Sequence, residues 1–357
     1  MGSWFRLPIL TGCLICLLLT ALGHGPSLAA PAEMAPLAAR SLLLDGQVVG
    51  DRLVVVGARG HILVSDDDGR TWQQRPVPTR TTLTSVFFVN DQLGWAAGHD
   101  AVILKTEDGG TSWRMVYQDR TDQRPVLDLW FRNQDIGYAV GAYGLFLSTA
   151  DGGETWTGRS FEAEETLAGE NVQAEDAGGG EWYESEAAWP MDFHLNHLRA
   201  SPAGRLFIAG EAGHVFRSDD GGDTWSDLLP PYEGSLFGTL PLGGDLVLAY
   251  GLRGHLLVSA DAGMNWAFTE TRTEATLNDA IQLADGRIVV AGLAGTLLVS
   301  DDGGRTYRHW PQPDRAGLAR VLEADDGGLV LIGTHGVRRF SLSPTAADAP
   351  LRREDAP

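Results

Sequence analysis

The chain has 357 residues, with 47 acidic against 27 basic side chains and a formal net charge of −20. Such an acidic balance excludes direct binding to nucleic acid or to an anionic membrane surface. Both cysteines, Cys13 and Cys16, fall in the N-terminal leader, which excludes disulfide and thiol chemistry from everything after it.

Residues 1–29 read as a secretory signal peptide: Arg6, an apolar run over 7–22, and Ser27-Leu28-Ala29 before the expected cleavage. Leu10-Thr11-Gly12-Cys13 also fits a lipoprotein box, but the apolar run continues past Cys13 and favours cleavage after Ala29. An exported, periplasmic chain with no membrane insertion after cleavage is expected. Residues 30–343 then carry one pattern, GxxGxxxxSxDGGxTW, with leading glycines at Gly57, Gly98, Gly141, Gly210, Gly251, Gly292 and Gly333. The steps are 41, 43, 69, 41, 41 and 41 residues. A fixed period of this length marks a repeat architecture, and each unit holds four short strands. Apolar, β-branched runs precede each leading glycine, as at 53–56 and 288–291, and a second follows a two-residue turn, as at 61–64 and 296–299. An inner strand is predicted about 13 residues earlier, as at 42–49, 85–89, 127–131, 198–200 and 280–283. The fourth strand follows the aromatic residue. The expected fold is an all-β, seven-bladed propeller of four-stranded antiparallel blades, monomeric, with residues 34–41 supplying the outer strand of the incomplete last blade. Residues 344–357 read as a disordered tail.

The acidic turn segment recurs in six units around Asp67, Asp108, Asp151, Asp220, Asp261 and Asp302, with Trp72, Trp113, Trp156, Trp225, Trp266 and Tyr307 closing each. Its carboxylate is suited to accept backbone N–H groups across the hairpin, its glycine to positive φ, and its aromatic residue to packing on the neighbouring blade with the indole N–H bonded. A carboxylate repeated in every blade cannot be a unique general acid. Asp66 to Asp68 resemble the start of a calcium loop, but the later glutamate is missing. No metal and no cofactor is expected.

Function should lie where the repeats differ. The residue after each leading glycine by two is Arg59, Asp100, Tyr143, Ala212, Arg253, Ala294 and His335, on one face. Thirteen before each glycine stand Leu44, Ser85, Asp128, His197, Gly238, Asp279 and Arg320, expected to ring the channel mouth as a polar site or as hydrated surface charges. His194, His197 and Asp192 do not make a metal site, because His-x-x-His on a strand places the rings on opposite faces. The long step holds an acidic insertion at 159–192 with Trp182, Tyr183 and Trp189, which reads either as a solvated loop or as a segment docking on a partner or over the GxxG face.

Blade sequences such as GWAAGHDAVILKTEDGGTSW and GYAVGAYGLFLSTADGGETW match the Asp-box, or bacterial neuraminidase repeat. Over about residues 40–340 the chain resembles the photosystem II stability and assembly factor family. The resemblance implies a non-enzymatic propeller that binds a newly made integral-membrane subunit in the thylakoid lumen. Related exported propellers occur in bacteria that do not photosynthesise. That family engages its client through an arginine patch; here Arg59 and Arg253 sit in well-separated blades, with Arg80, Arg120, Arg124, Arg272 and Arg315 in loops of the same face. This departure points to a non-photosynthetic relative, with an envelope transporter as another client. The rival class is a sialidase or other glycoside hydrolase on an Asp-box propeller. It would need Asp128 and Asp279 to face a sugar about 5–10 Å apart.

Overall fold

The computed structural model describes residues 30–165, 193–310 and 312–342. Residues 1–29, expected as a signal peptide, the expected tail at 344–357, and Trp182, Tyr183 and Trp189 lie outside the described residues. Among those described, no helix is long and apolar enough to cross a membrane.

Among the described residues seven sheets, antiparallel but for one parallel edge pair in the fourth, follow one another in chain order: five have four strands, the fourth has five, and the seventh has three. Blade 1 shows the plan, with strands Leu43–Val49, Arg52–Gly57, Ile62–Ser65 and Gln73–Arg75 from the axis outward. Its second strand is buried on both faces, which is why the sequence there is a continuous apolar run. Successive side chains alternate sides. Val54 and Val56 join Leu83 and Val86 in the core between blades 1 and 2, while Leu53 and Val55 join Val330 and Ile332 in the core between blades 7 and 1. Seven such inter-blade cores close the ring.

The second-to-third strand connection is longer than two residues in blades 1 to 6: it is a single 3-10 turn such as Ala58–Gly60. Only blade 7 pairs Gly333 directly with Gly336 across Thr334-His335. The leading glycine is a close-approach position, since a Cβ on Gly98 would stand 2.1 Å from the Thr82 carbonyl oxygen.

Closure differs from the predicted splice. Residues 34–41 form no strand; Ala32 N–H donates to Val77 O at the outside of blade 1, and the chain then makes a 3-10 turn at Ala38–Arg40. Pro36 removes a ladder donor and the Ala-rich run favours a helical turn. Ala38 is buried in the blade 7–1 core, so closure is by side-chain packing, and blade 7 keeps its three strands Leu318–Glu323, Leu329–Gly333 and Gly336–Phe340.

The insertion begins on blade 4. Phe161 is buried between Phe216 and Trp225, and Glu164–Glu165 pairs in parallel with Ser226–Asp227 as a fifth, outermost strand. Its far end returns to the GxxG face, where Gly144 N–H donates to Phe193 O at 2.8 Å.

Candidate functional site

Two places bring the sequence candidates together: the GxxG face and the axis. On the face, Arg59, Asp100, Tyr143, Ala212, Arg253 and Ala294 all hold left-handed backbone, with φ between 52° and 60°. L-residues other than glycine, asparagine and aspartate rarely adopt it, and it turns each side chain outward. Arg59, Arg253 and His335 are exposed, and Tyr143 is 57 % exposed. Arg59 and Arg253 have no ion-pair partner among the described residues. Their neighbours are engaged: Arg80 pairs with Glu33 at 3.1 Å, Arg124 with Asp122 at 2.6 Å, and Arg272 with Glu270 at 3.4 Å. Tyr143 packs edge-on against His194 at 4.8 Å, and its carbonyl accepts from Arg124. Arg272 and Arg315 repeat the left-handed strain in the blade-to-blade loops of this face.

At the axis, the structure joins Asp128, His197, Asp279 and Arg320, through Arg199, into one largely buried network. All stand at the third position of an inner strand, beside its bulge. The blade 1 member is Asp45, paired with Val56, and not Leu44. Blade 1 has a tighter first hairpin, with Val49 opposite Arg52 where blade 2 sets Phe88 opposite Gly94, and this moves the position by one residue. An acidic residue one step from the repeat offset was the available signal.

Each ring carboxylate staples its blade to the next. Asp45 accepts from Val86 N–H at 2.8 Å, Asp128 from Leu198 N–H at 2.8 Å, and Asp279 from Val321 N–H at 2.9 Å. Ser85 donates to Asp128 at 2.6 Å, and Arg320 bridges Asp45 at 3.1 Å and Asp279 at 3.2 Å. Burial pushes the Asp128 carboxyl up to about 6, with the Asp45 charge adding to it, and raises Asp45 as well. Burial, then Arg199 and Arg320, hold His197 well below the ordinary imidazole range. Gly238 leaves the fifth place to the Tyr250 ring, whose hydroxyl lies 2.3 Å from where a Cβ would stand. Carboxylates committed to backbone staples between blades are not presented to a sugar.

His194 precedes the inner strand Leu195–Ala200 and meets Glu211 and Tyr143 at the face, while His197, on the strand, turns to the axis. Among the described residues no cluster of His, Cys, Asp and Glu can hold a metal.

The acidic turns are structural. In blade 1, Ser65 donates to Asp67 at 2.8 Å, Thr71 N–H and Oγ1 donate to its two oxygens at 2.7 and 2.6 Å, and Gly69 N–H donates to Ser65. These bonds, the Thr hydroxyl's first, hold Asp67, Asp151 and Asp302 down at about 2. The same set recurs at Asp108, Asp220 and Asp261. The carboxylate bonds stay within the turn. Trp72 and Trp113 donate to Gly69 and Gly110, but the indoles of Trp156, Trp225 and Trp266 and the hydroxyl of Tyr307 find no partner among the described residues, against the expectation. Their worth is apolar contact with the preceding blade.

The family model described as photosynthesis system II assembly factor YCF48 matches residues 33–124. No curated protein matches the sequence. Among solved structures, "YCF48 bound to D1 peptide" is 19 % identical with a TM-score of 0.64, covering 88 % of this chain and 99 % of its own. YCF48 from Cyanidioschyzon merolae is 17 % identical with a TM-score of 0.63 and the same coverage. A streptogramin B lyase reaches a TM-score of 0.67 at 10 % identity, covering 87 % of this chain and 97 % of its own. At these identities the likeness is one of fold, and an enzyme shares it, so chemistry must be argued from residues.

Proposed function

We propose that this YCF48-like propeller is a non-catalytic, exported scaffold that holds or helps assemble an integral-membrane partner through its GxxG face, working in the periplasm as a monomer. One observation carries the reading: Arg59, Tyr143, Arg253 and His335 share one repeat position and project outward from the same face, the first three from strained turns. Strained, outward-aimed side chains on a rigid disc are the pattern of a binding surface. A neighbour of the same fold is described with a bound D1 peptide, which supports a protein segment as ligand. The axial carboxylates support the non-catalytic part, since their oxygens already hold the blades together. Whether the client belongs to a photosystem or to an envelope transporter, the recognising chemistry is the same: guanidinium groups and an aromatic ring facing a polar segment.

The test is affinity capture from detergent-solubilised envelope, with the intact protein beside an R59A/Y143A/R253A variant. Recovery of one integral-membrane protein by the intact chain, lost with the variant, is expected. Equal recovery by both would move the interface off this face, and no specific recovery by either would overturn the scaffold reading.

A further inference from the structure

The third strand of every blade has one position that faces the preceding blade's side of the sheet. It is occupied by Leu63, Leu104, Leu147, Phe216, Leu257 and Leu298 in blades 1 to 6, none more than 1 % exposed. In blade 7 the same register holds Arg338, followed by Arg339. Arg338 reaches Gln312 at 2.9 Å and Asp314 at 3.4 Å, both in the loop leaving blade 6. Arg339 pairs with Asp68 at 2.7 Å and with Asp326.

This is also the blade in which the described residues form no fourth strand. After Phe340 the chain leaves the edge: Leu342, which stands where an acidic-turn Asp stands in the other blades, is buried in the core between blades 6 and 7. The edge strand borders a cleft of about 530 Å³ lined by Arg287, Asp326, Gly328, Arg339, Phe340 and Leu342. In blade 1 the corresponding residues, Ile62, Leu63 and Val64, pair with Arg75, Gln74 and Gln73. Blade 4 shows what this propeller adds beyond its own strands: an extended acidic segment, Glu164–Glu165.

We propose that the outer edge of blade 7, at Val337, Arg338 and Arg339, is a strand-addition site for an extended acidic segment of a partner protein. Backbone pairing supplies the docking, as for any open edge. The two arginines supply the choice: an acidic strand places further carboxylates beside them, whereas a basic strand sets like charges together and an apolar strand adds no pairing to them. The Arg338–Asp314 pair is half-exposed and long enough to be exchanged. The site is remote in role from the GxxG arginines, and the two proposals fail separately.

The experiment titrates the full-length exported protein with a seven-residue peptide alternating Glu and Val, read by hydrogen exchange of the amides in residues 336–340. A Lys/Val peptide and a backbone N-methylated Glu/Val peptide serve as controls. Protection at 336–340 by the Glu/Val peptide alone is expected. An R338L/R339V variant should keep its fold, bind that peptide roughly fivefold more weakly, and lose its preference over the Lys/Val peptide. Protection confined to the turns around Arg59 and Arg253, no protection at all, or equal protection by both charges would overturn the proposal. So would amides already protected in the free protein and released by truncation after Leu342, because the chain's own tail would then fill the edge.

Discussion

Blade 4 and blade 7 treat the same problem in opposite ways. Blade 4 covers its outer edge twice, with Ser226–Asp227 and then with Glu164–Glu165, anchored by Phe161 in an aromatic core. Blade 7 has three strands among the described residues and puts Arg338 where every other blade buries a leucine or phenylalanine. The inner seam is the same at both: Asp128 staples blade 3 to blade 4, and Asp279 with Arg320 staples blade 6 to blade 7 and on to blade 1. The axis therefore holds blades 4 and 7 by the same kind of staple while their rims differ, and specific function can be written at the rim without loosening that seam.

The contrast breaks most sharply if the residue of blade 7 is moved inward to blade 6. Leu298→Arg buries an unpaired guanidinium between blades 5 and 6, and should cost more than about 4 kcal/mol by denaturant unfolding. Next in size, Phe161→Ala should cost about 3–4 kcal/mol and expose the amides of Ser226–Asp227 to hydrogen exchange, while those of blade 7 stay as they were. The seam is sharpened by pH. Asp128 titrates at about 6 when folded against 3.8 unfolded, so the native state binds the proton more tightly. That contribution is full below about pH 4 and is lost as the pH rises through 6, by something on the order of 3 kcal/mol. Asp128→Asn should flatten the stability curve between pH 4 and 6. The turn carboxylates work the other way, stabilising above their unfolded pKa and losing that contribution as pH falls through about 2. Smallest is Arg338→Leu, expected to change stability by less than about 1 kcal/mol because its ion pair is half-exposed; equilibrium unfolding checks it.

The blades were readable because the features that make them are local. Positive-φ glycines, a hydroxyl and a carboxylate four residues apart in a turn, and an apolar run flanked by turns specify each hairpin wherever it sits. The site was readable in part. Asp128, His197, Asp279 and Arg320 were found by their spacing, but their meeting as buried staples was not, because spacing places residues on a strand and does not say what the neighbouring blade offers them. Asp45 was missed for a one-residue change in hairpin length. Arg338 carried no signal until the register set it beside six buried apolar residues.

The sequence alone determined the repeat, the blade number, the turn chemistry and the face on which Arg59, Tyr143, Arg253 and His335 lie, since all depend on interactions within about 15 residues or on the strand period. Only the tertiary structure decided how the ring closes, which carboxylates are buried, where the start of the insertion docks and which blade has three strands among the described residues. Each depends on how elements far apart in the chain meet: Ala38 seals blades 7 and 1 by packing, and Leu342 is buried in the core between blades 6 and 7.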